Sequence, residues 1–177
     1  MEKSSPFKTG INFGAILGIC LVIFSVITYL LGLTDNKLAS LISYIPVLVI
    51  IIFGSKSFRN HDLNGFIGYG AALGTGTLIA FFGSIIIAFY TYIFLKFIDP
   101  TIITNMLEKI QEQMTEQGNI KSDEQIEIAM KYTRMFMVPG FMATMVILNY
   151  TFFGFIFSLF TSIFLKKEND SFESNFE

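Results

Sequence analysis

Gly65 to Leu95 reads GFIGYGAALGTGTLIAFFGSIIIAFYTYIFL, 31 residues without an Asp, Glu, Lys, Arg or His. A helix rises about 1.5 Å per residue and the hydrocarbon layer of a bilayer is about 30 Å thick, so about 20 apolar residues cross it. A helix in a soluble domain keeps a polar face for water, and this stretch has none to offer. It therefore predicts a transmembrane helix long enough to tilt or to project beyond the bilayer.

Working outward, the same charge-free character recurs from Thr9 to Thr34, from Leu38 to Ser55 and from Met135 to Leu165. The block at 38–55 has only 18 residues, a length that also suits a re-entrant segment or a buried helix. A short span with Tyr44 near one end is the reading adopted. The chain is 53% hydrophobic with a mean hydropathy of +0.61, more than a soluble core of 177 residues needs. The expected spans are Gly10 to Leu33, about Leu38 to Phe53, about Gly65 to Leu95, and a fourth within Met135 to Leu165. Pro46 is expected to kink the second, because a proline inside a helix removes one backbone hydrogen bond. Thr34 to Lys37 reads as a turn and Lys56 to Asp62 as a loop. A cleaved signal peptide is not expected at the N-terminus: the apolar run is too long, and Leu31-Gly32-Leu33-Thr34-Asp35 offers no small-x-small cleavage pattern.

Between Lys96 and Arg134 charged residues recur every few positions. Asp99-Pro100 is a helix start, with Asp99 as the cap and Pro100 in the first turn, where its missing N–H costs nothing. Ile103, Met106, Leu107, Ile110 and Met114 then recur at helical spacing, with Glu108, Glu112 and Glu116 elsewhere on the wheel. Gly118 and Asn119 end that helix. Ser122-Asp123-Glu124-Gln125 has the pattern of a capping box and starts a second one, with Ile126, Ala129, Met130 and Met137 on one side. This second helix is expected to run on into the fourth span near Val138-Pro139-Gly140. The fold expected is an all-α integral membrane protein: four transmembrane helices with an amphipathic helical hairpin inserted between the third and fourth. Residues 1–177 form one membrane domain, 97–137 being the extramembrane hairpin and 168–177 a polar tail.

Phe13-Gly14-Ala15-Ile16-Leu17-Gly18 matches Tyr69-Gly70-Ala71-Ala72-Leu73-Gly74. Either the chain holds two repeated helix pairs, or two spans have converged on small residues suited to packing. Lys3, Lys8, Lys56, Arg59, Lys166 and Lys167 cluster densely on one side of the four spans. As many bases lie on the other side, spread over a longer segment, so density expects both termini in the cytoplasm.

The chemistry the sequence offers is chiefly negative. None of the four spans carries a carboxylate, an amine or an imidazole, the groups that proton-coupled carriers place at the midplane. His61 beside Asp62 has no second histidine or cysteine to complete a metal site. The serines have no histidine within their spans to activate them, so no catalytic residue, metal ligand or cofactor is expected. Cys20 is the only cysteine, which excludes a disulfide framework within the chain. No concentrated basic face suggests nucleic acid. Candidate sites are therefore packing positions: Gly10, Gly14, Gly18, Gly70 and Gly74, which let helices approach closely within the chain or in a homo-oligomer, and Asn149, whose amide should hydrogen-bond another helix.

Four features occur in order along the chain: the run from Lys8-Thr9-Gly10 to Gly18, Phe58-Arg59 before Gly65 to Gly74, the step Phe97-Ile98-Asp99-Pro100 into an acidic helix, and Asp123-Glu124-Gln125-Ile126-Glu127 before the last span. In these the chain resembles the domain of unknown function 4199 family of small bacterial membrane proteins. The resemblance implies a topology in the bacterial cytoplasmic (inner) membrane and no chemistry. Two functional expectations follow. One is a non-enzymatic, multi-pass protein whose partners are the lipid bilayer and a protein met at the hairpin; the other is a small oligomeric channel or carrier for a neutral solute.

Overall fold

The computed structural model describes residues 5–34, 36–116 and 123–167. Among them the chain is helical, with no strand beyond one isolated bridge between Ile67 and Lys167. Four helices are long and apolar enough to cross a membrane: Pro6–Leu30, Lys37–Asp62, Tyr69–Ile98 and Pro139–Leu165.

The first, α1 (Pro6–Leu30), starts at Ser5, whose hydroxyl accepts the Lys8 amide at 3.3 Å, with Pro6 in the first turn. It stops where Gly32 takes a φ of +66°, so that the Gly32 amide reaches Tyr29 and the Leu33 amide reaches Thr28, satisfying carbonyls that the helix end leaves open. The second is divided into α2 (Lys37–Ile42) and α3 (Tyr44–Ser57), with the interruption at Ser43. Pro46 explains it, having no N–H for the Ile42 carbonyl one turn back.

The expected loop Lys56 to Asp62 is a correction: α3 runs to Ser57 and continues as a π-helical turn, Phe58–Asp62. Extending the helix buries Phe58 against Ile67 and Ala72, which outweighs the polar composition. The turn is delayed to Asn64 and Gly65, at φ 51° and 89°, the left-handed conformation asparagine and glycine adopt most readily. Next come α4 (Tyr69–Ile93), extended by a second π-helical turn, Phe94–Ile98, then α5 (Thr101–Glu116), α6 (Asp123–Phe136) and α7 (Pro139–Leu165). The expected run of α6 into α7 does not occur. Met137 and Val138 separate them, since Pro139 donates no hydrogen bond and turns the preceding residue away from helical angles.

The chain forms two units. The first takes in residues up to Ile87 and from Ile147 onward. Within it α1 and α4 run parallel, because Gly10, Gly14 and Gly18 meet Leu78, Phe82 and Ile86 in the same order. α3 and α7 are parallel as well, joined from Tyr44 to Asn149 and, in the π-helical turn that continues α3, from Arg59 to the Leu165 carbonyl at 3.3 Å. α4 opposes α7, with Ser84 at Thr151 and Ile67 bridged to Lys167. Leu17, Leu21, Val47, Ile51, Ile79 and Ala80 form the interior.

The second unit is Ala88–Val146. Asp99 accepts hydrogen bonds from the Thr101 amide at 3.2 Å and from the Thr101 hydroxyl, as a residue heading a helix should. α5 and α6 touch. Ile103, Met106, Leu107, Ile110 and Met114 are all half-buried, while Glu108 and Glu112 are exposed. The expected end of α5 at Gly118 and Asn119, the Ser122 cap of α6 and the tail at 168–177 lie outside the described residues.

Candidate functional site

Gly10, Gly14 and Gly18 occupy one face of α1, four residues apart, and that face lies on α4. A methyl group built on Gly14 would come within 2.6 Å of Phe82 Cβ, 3.0 Å of the Ile79 carbonyl oxygen and 3.1 Å of the Gly83 nitrogen. Two of those neighbours are backbone and cannot swing aside. At Gly18 the same test meets Ile86 Cβ at 2.5 Å. A methyl group built on Gly70 or Gly74, by contrast, would meet no described residue within 4 Å beyond its own stretch of helix. The α4 side of the contact is instead Leu78 to Ile86, and Gly83 receives Leu17. Although the internal match pairs Gly14 with Gly70, Gly14 lies against Phe82, so the matched segments are not level with each other.

Asn149 accepts a hydrogen bond from the Tyr44 hydroxyl at 2.6 Å. This pair joins α7 to α3 immediately after the break at Ser43. The Tyr150 hydroxyl donates to Ser43 Oγ at 3.4 Å, and Ser43 donates to the Ser40 carbonyl at 2.6 Å. Tyr44 also meets the rings of Tyr150 and Phe153, with centroids 5.6 and 4.8 Å apart. The irregular backbone that Pro46 creates is thus held by polar side chains of the neighbouring helix.

A further polar group went unnoticed in the sequence. Ser55, Ser158 and Ser162 are each 0–1% exposed, and their hydroxyl oxygens have no hydrogen-bond partner among the described residues. Ser158 lies against Gly76, and Gly154 against Ala80, so α4 and α7 approach closely along this seam. Ser55 follows Ile51 by one turn on α3, and Ile51 borders both Gly76 and Gly154. The readable signal is Gly154, Ser158 and Ser162, a small residue every four positions.

His61 is exposed and engages its own helix: Nδ1 lies 3.1 Å from the Ser57 carbonyl oxygen and 3.5 Å from Ser57 Oγ. Among the described residues no group of three His, Cys, Asp or Glu side chains is placed to hold a metal ion. Beyond helix packing, the arrangement offers hydroxyls and amides that can bind neutral polar groups. No curated protein and no solved structure matches the chain. A sequence model described as "Protein of unknown function (DUF4199)" matches residues 12–167, nearly the whole chain, and the chain belongs to that family.

Proposed function

We propose that this protein is a non-enzymatic, multi-pass component of the bacterial cytoplasmic membrane with both termini in the cytoplasm, and that α5 and α6 form a hairpin outside the membrane that serves as an interaction element. The observation that carries this reading is the pair itself. Two helices that turn one apolar face toward each other and carry charges on their exposed surface lie, in chain order, between two helices apolar enough to span lipid. A cleft of about 700 Å³ beside them is lined by Gln111, Thr115, Ile126, Glu127, Met130, Lys131 and Arg134, a mixed surface suited to a protein segment. The orientation rests on the dense bases Lys8, Lys56, Arg59, Lys166 and Lys167. Replacing residues 101–136 by a short Gly-Ser linker and comparing affinity-purified partners with those of the full chain tests the reading. Loss of specific partners is expected; an unchanged set removes the hairpin from the account.

The serine seam favours a second reading, a small oligomeric channel or carrier for a neutral solute. Ser55, Ser158 and Ser162 hold hydroxyls that a neutral polar solute could use. Flux of small polyols into reconstituted vesicles, reduced when Ser158 is replaced by Ala, is the expected result. Vesicles as tight as protein-free ones count against it.

A further inference from the structure

α6 has a second apolar face. Ile126, Met130 and Thr133 are buried or half-buried on one side, while Ile128, Tyr132, Met135 and Phe136 are 51%, 60%, 65% and 55% exposed. The exposed set is spaced by four, three and one residues, a stripe on roughly the opposite side of the helix. The acids of α6, Asp123, Glu124 and Glu127, all precede residue 128, and its bases, Lys131 and Arg134, all follow it.

We infer that this stripe rests on the headgroup layer of the same bilayer that α7 crosses, with Tyr132 and Phe136 at the acyl boundary and Lys131 and Arg134 toward anionic phospholipid phosphates. The inference rests on the reading of α7 as a membrane span. Only Met137 and Val138 separate α6 from α7, a reach of about 7 Å at full extension. The headgroup layer is itself about 5–7 Å deep, so the last turn of α6 lies within it or at its edge. The stripe is continuous with the span: Phe136 packs on Phe141 in the first turn of α7, with centroids 5.0 Å apart, and Val138 and Met145 carry the exposed apolar surface onward.

An aromatic ring with a hydroxyl, flanked by bases, is the chemistry of a membrane interface. The same chemistry occurs where the third span ends, with Lys96 Nζ 2.8 Å from the Tyr92 hydroxyl and over the Tyr92 and Phe97 rings. Bases in the last turns of a helix also suit its dipole. The dipole explains their place along α6 but not the apolar stripe beside them. Across the whole segment 96–134 acids outnumber bases, which argues against surface binding of the pair as a whole. The division within α6 confines the contact to its C-terminal half.

The chain has no Trp, so a single introduced one reports its own surroundings. Tyr132→Trp, Gln113→Trp on the exposed face of α5, and Phe152→Trp within the span would each be made in the full chain. Each would be reconstituted in phosphatidylcholine–phosphatidylglycerol vesicles with and without brominated acyl chains. The expected result is that bromine quenches the Tyr132→Trp emission several-fold more than the Gln113→Trp emission, and aqueous iodide does the reverse. Lys131→Gln in the Tyr132→Trp background should lower the docked-to-undocked ratio about fivefold in anionic vesicles and leave it unchanged in neutral ones. Iodide quenching of Tyr132→Trp equal to that of Gln113→Trp overturns the inference. Shielding from both quenchers also overturns it and assigns the stripe to protein, a second copy if dilution in lipid removes the shielding. If Phe152→Trp too escapes bromine, the membrane reading itself has failed; if only Tyr132→Trp escapes, that reading stands and the docking of α6 does not.

Discussion

In the first unit the side chains taken furthest from the surface include Ser55, Thr75, Ser84 and Ser158, with Gly14 and Gly18 buried beside them, while Phe164 and Leu30 are 85% and 75% exposed. Where α5 and α6 face each other the order is the familiar one: Met130 is buried, and Glu108, Glu112, Glu127 and Lys131 are exposed, the apolar stripe at the C-terminal half of α6 being the exception. The difference lies in the solvent each surface suits. Lipid tails are as apolar as Leu or Phe, so large side chains gain nothing by leaving them, and helices associate through small residues and interhelical hydrogen bonds. Water drives methionine and isoleucine inward and leaves charges outside. One chain carries both patterns, and the change falls near Asp99.

That contrast makes the effect of a substitution depend on the region more than on the residue type. The largest expected effect is Gly14→Leu. It forces a side chain into the Ile79 and Gly83 backbone and should destabilise the reconstituted protein by about 3 kcal/mol, read from its unfolding in a denaturing-detergent titration. A loss near zero would mean that α1 and α4 are not in contact. Met130→Ala comes next, at about 2 kcal/mol, confined to α5 and α6. Hydrogen exchange should quicken in those two helices while the amides of α1 and α4 keep their protection; an equal change everywhere would erase the distinction between the regions. Tyr44→Phe removes one interhelical hydrogen bond and should cost about 0.6 kcal/mol, since the unfolded chain in lipid finds other partners. Smallest is Gly74→Ala, less than about 0.5 kcal/mol in either direction, because its added methyl meets open space. A cost as large as that of Gly14→Leu would reveal a neighbour at this glycine, a second copy being the first candidate.

The four long apolar helices were legible because unbroken apolar runs leave a single solvent in which they are stable. Caps at Asp99 and Pro100 were legible for a local reason: each acts on a neighbour in sequence. What escaped the reading depends on partners distant in sequence. Lys56 to Asp62 looks like a loop by composition, yet Phe58 has Ile67 and Ala72 to cover it, and the helix continues. Gly70 and Gly74 have the same spacing as Gly14 and Gly18, and spacing alone cannot say which α4 face meets α1. Asn149 stands out in the sequence as an amide beside Tyr150 within an apolar run, but its partner, Tyr44, lies 105 residues away. Ser55 gave no signal without its neighbours on α4 and α7.

The proposed topology puts α5–α6 and the turn after α3 in water on opposite faces of the membrane. Single cysteines at Gln113 and at Asn60, both exposed, placed in a Cys20→Ser background and treated with a membrane-impermeant maleimide in sealed right-side-out and inverted vesicles, test this directly. Gln113→Cys should react only in right-side-out vesicles and Asn60→Cys only in inverted ones. Reaction of both from the same side would contradict the four-span topology, and with it the division of the chain between lipid and water.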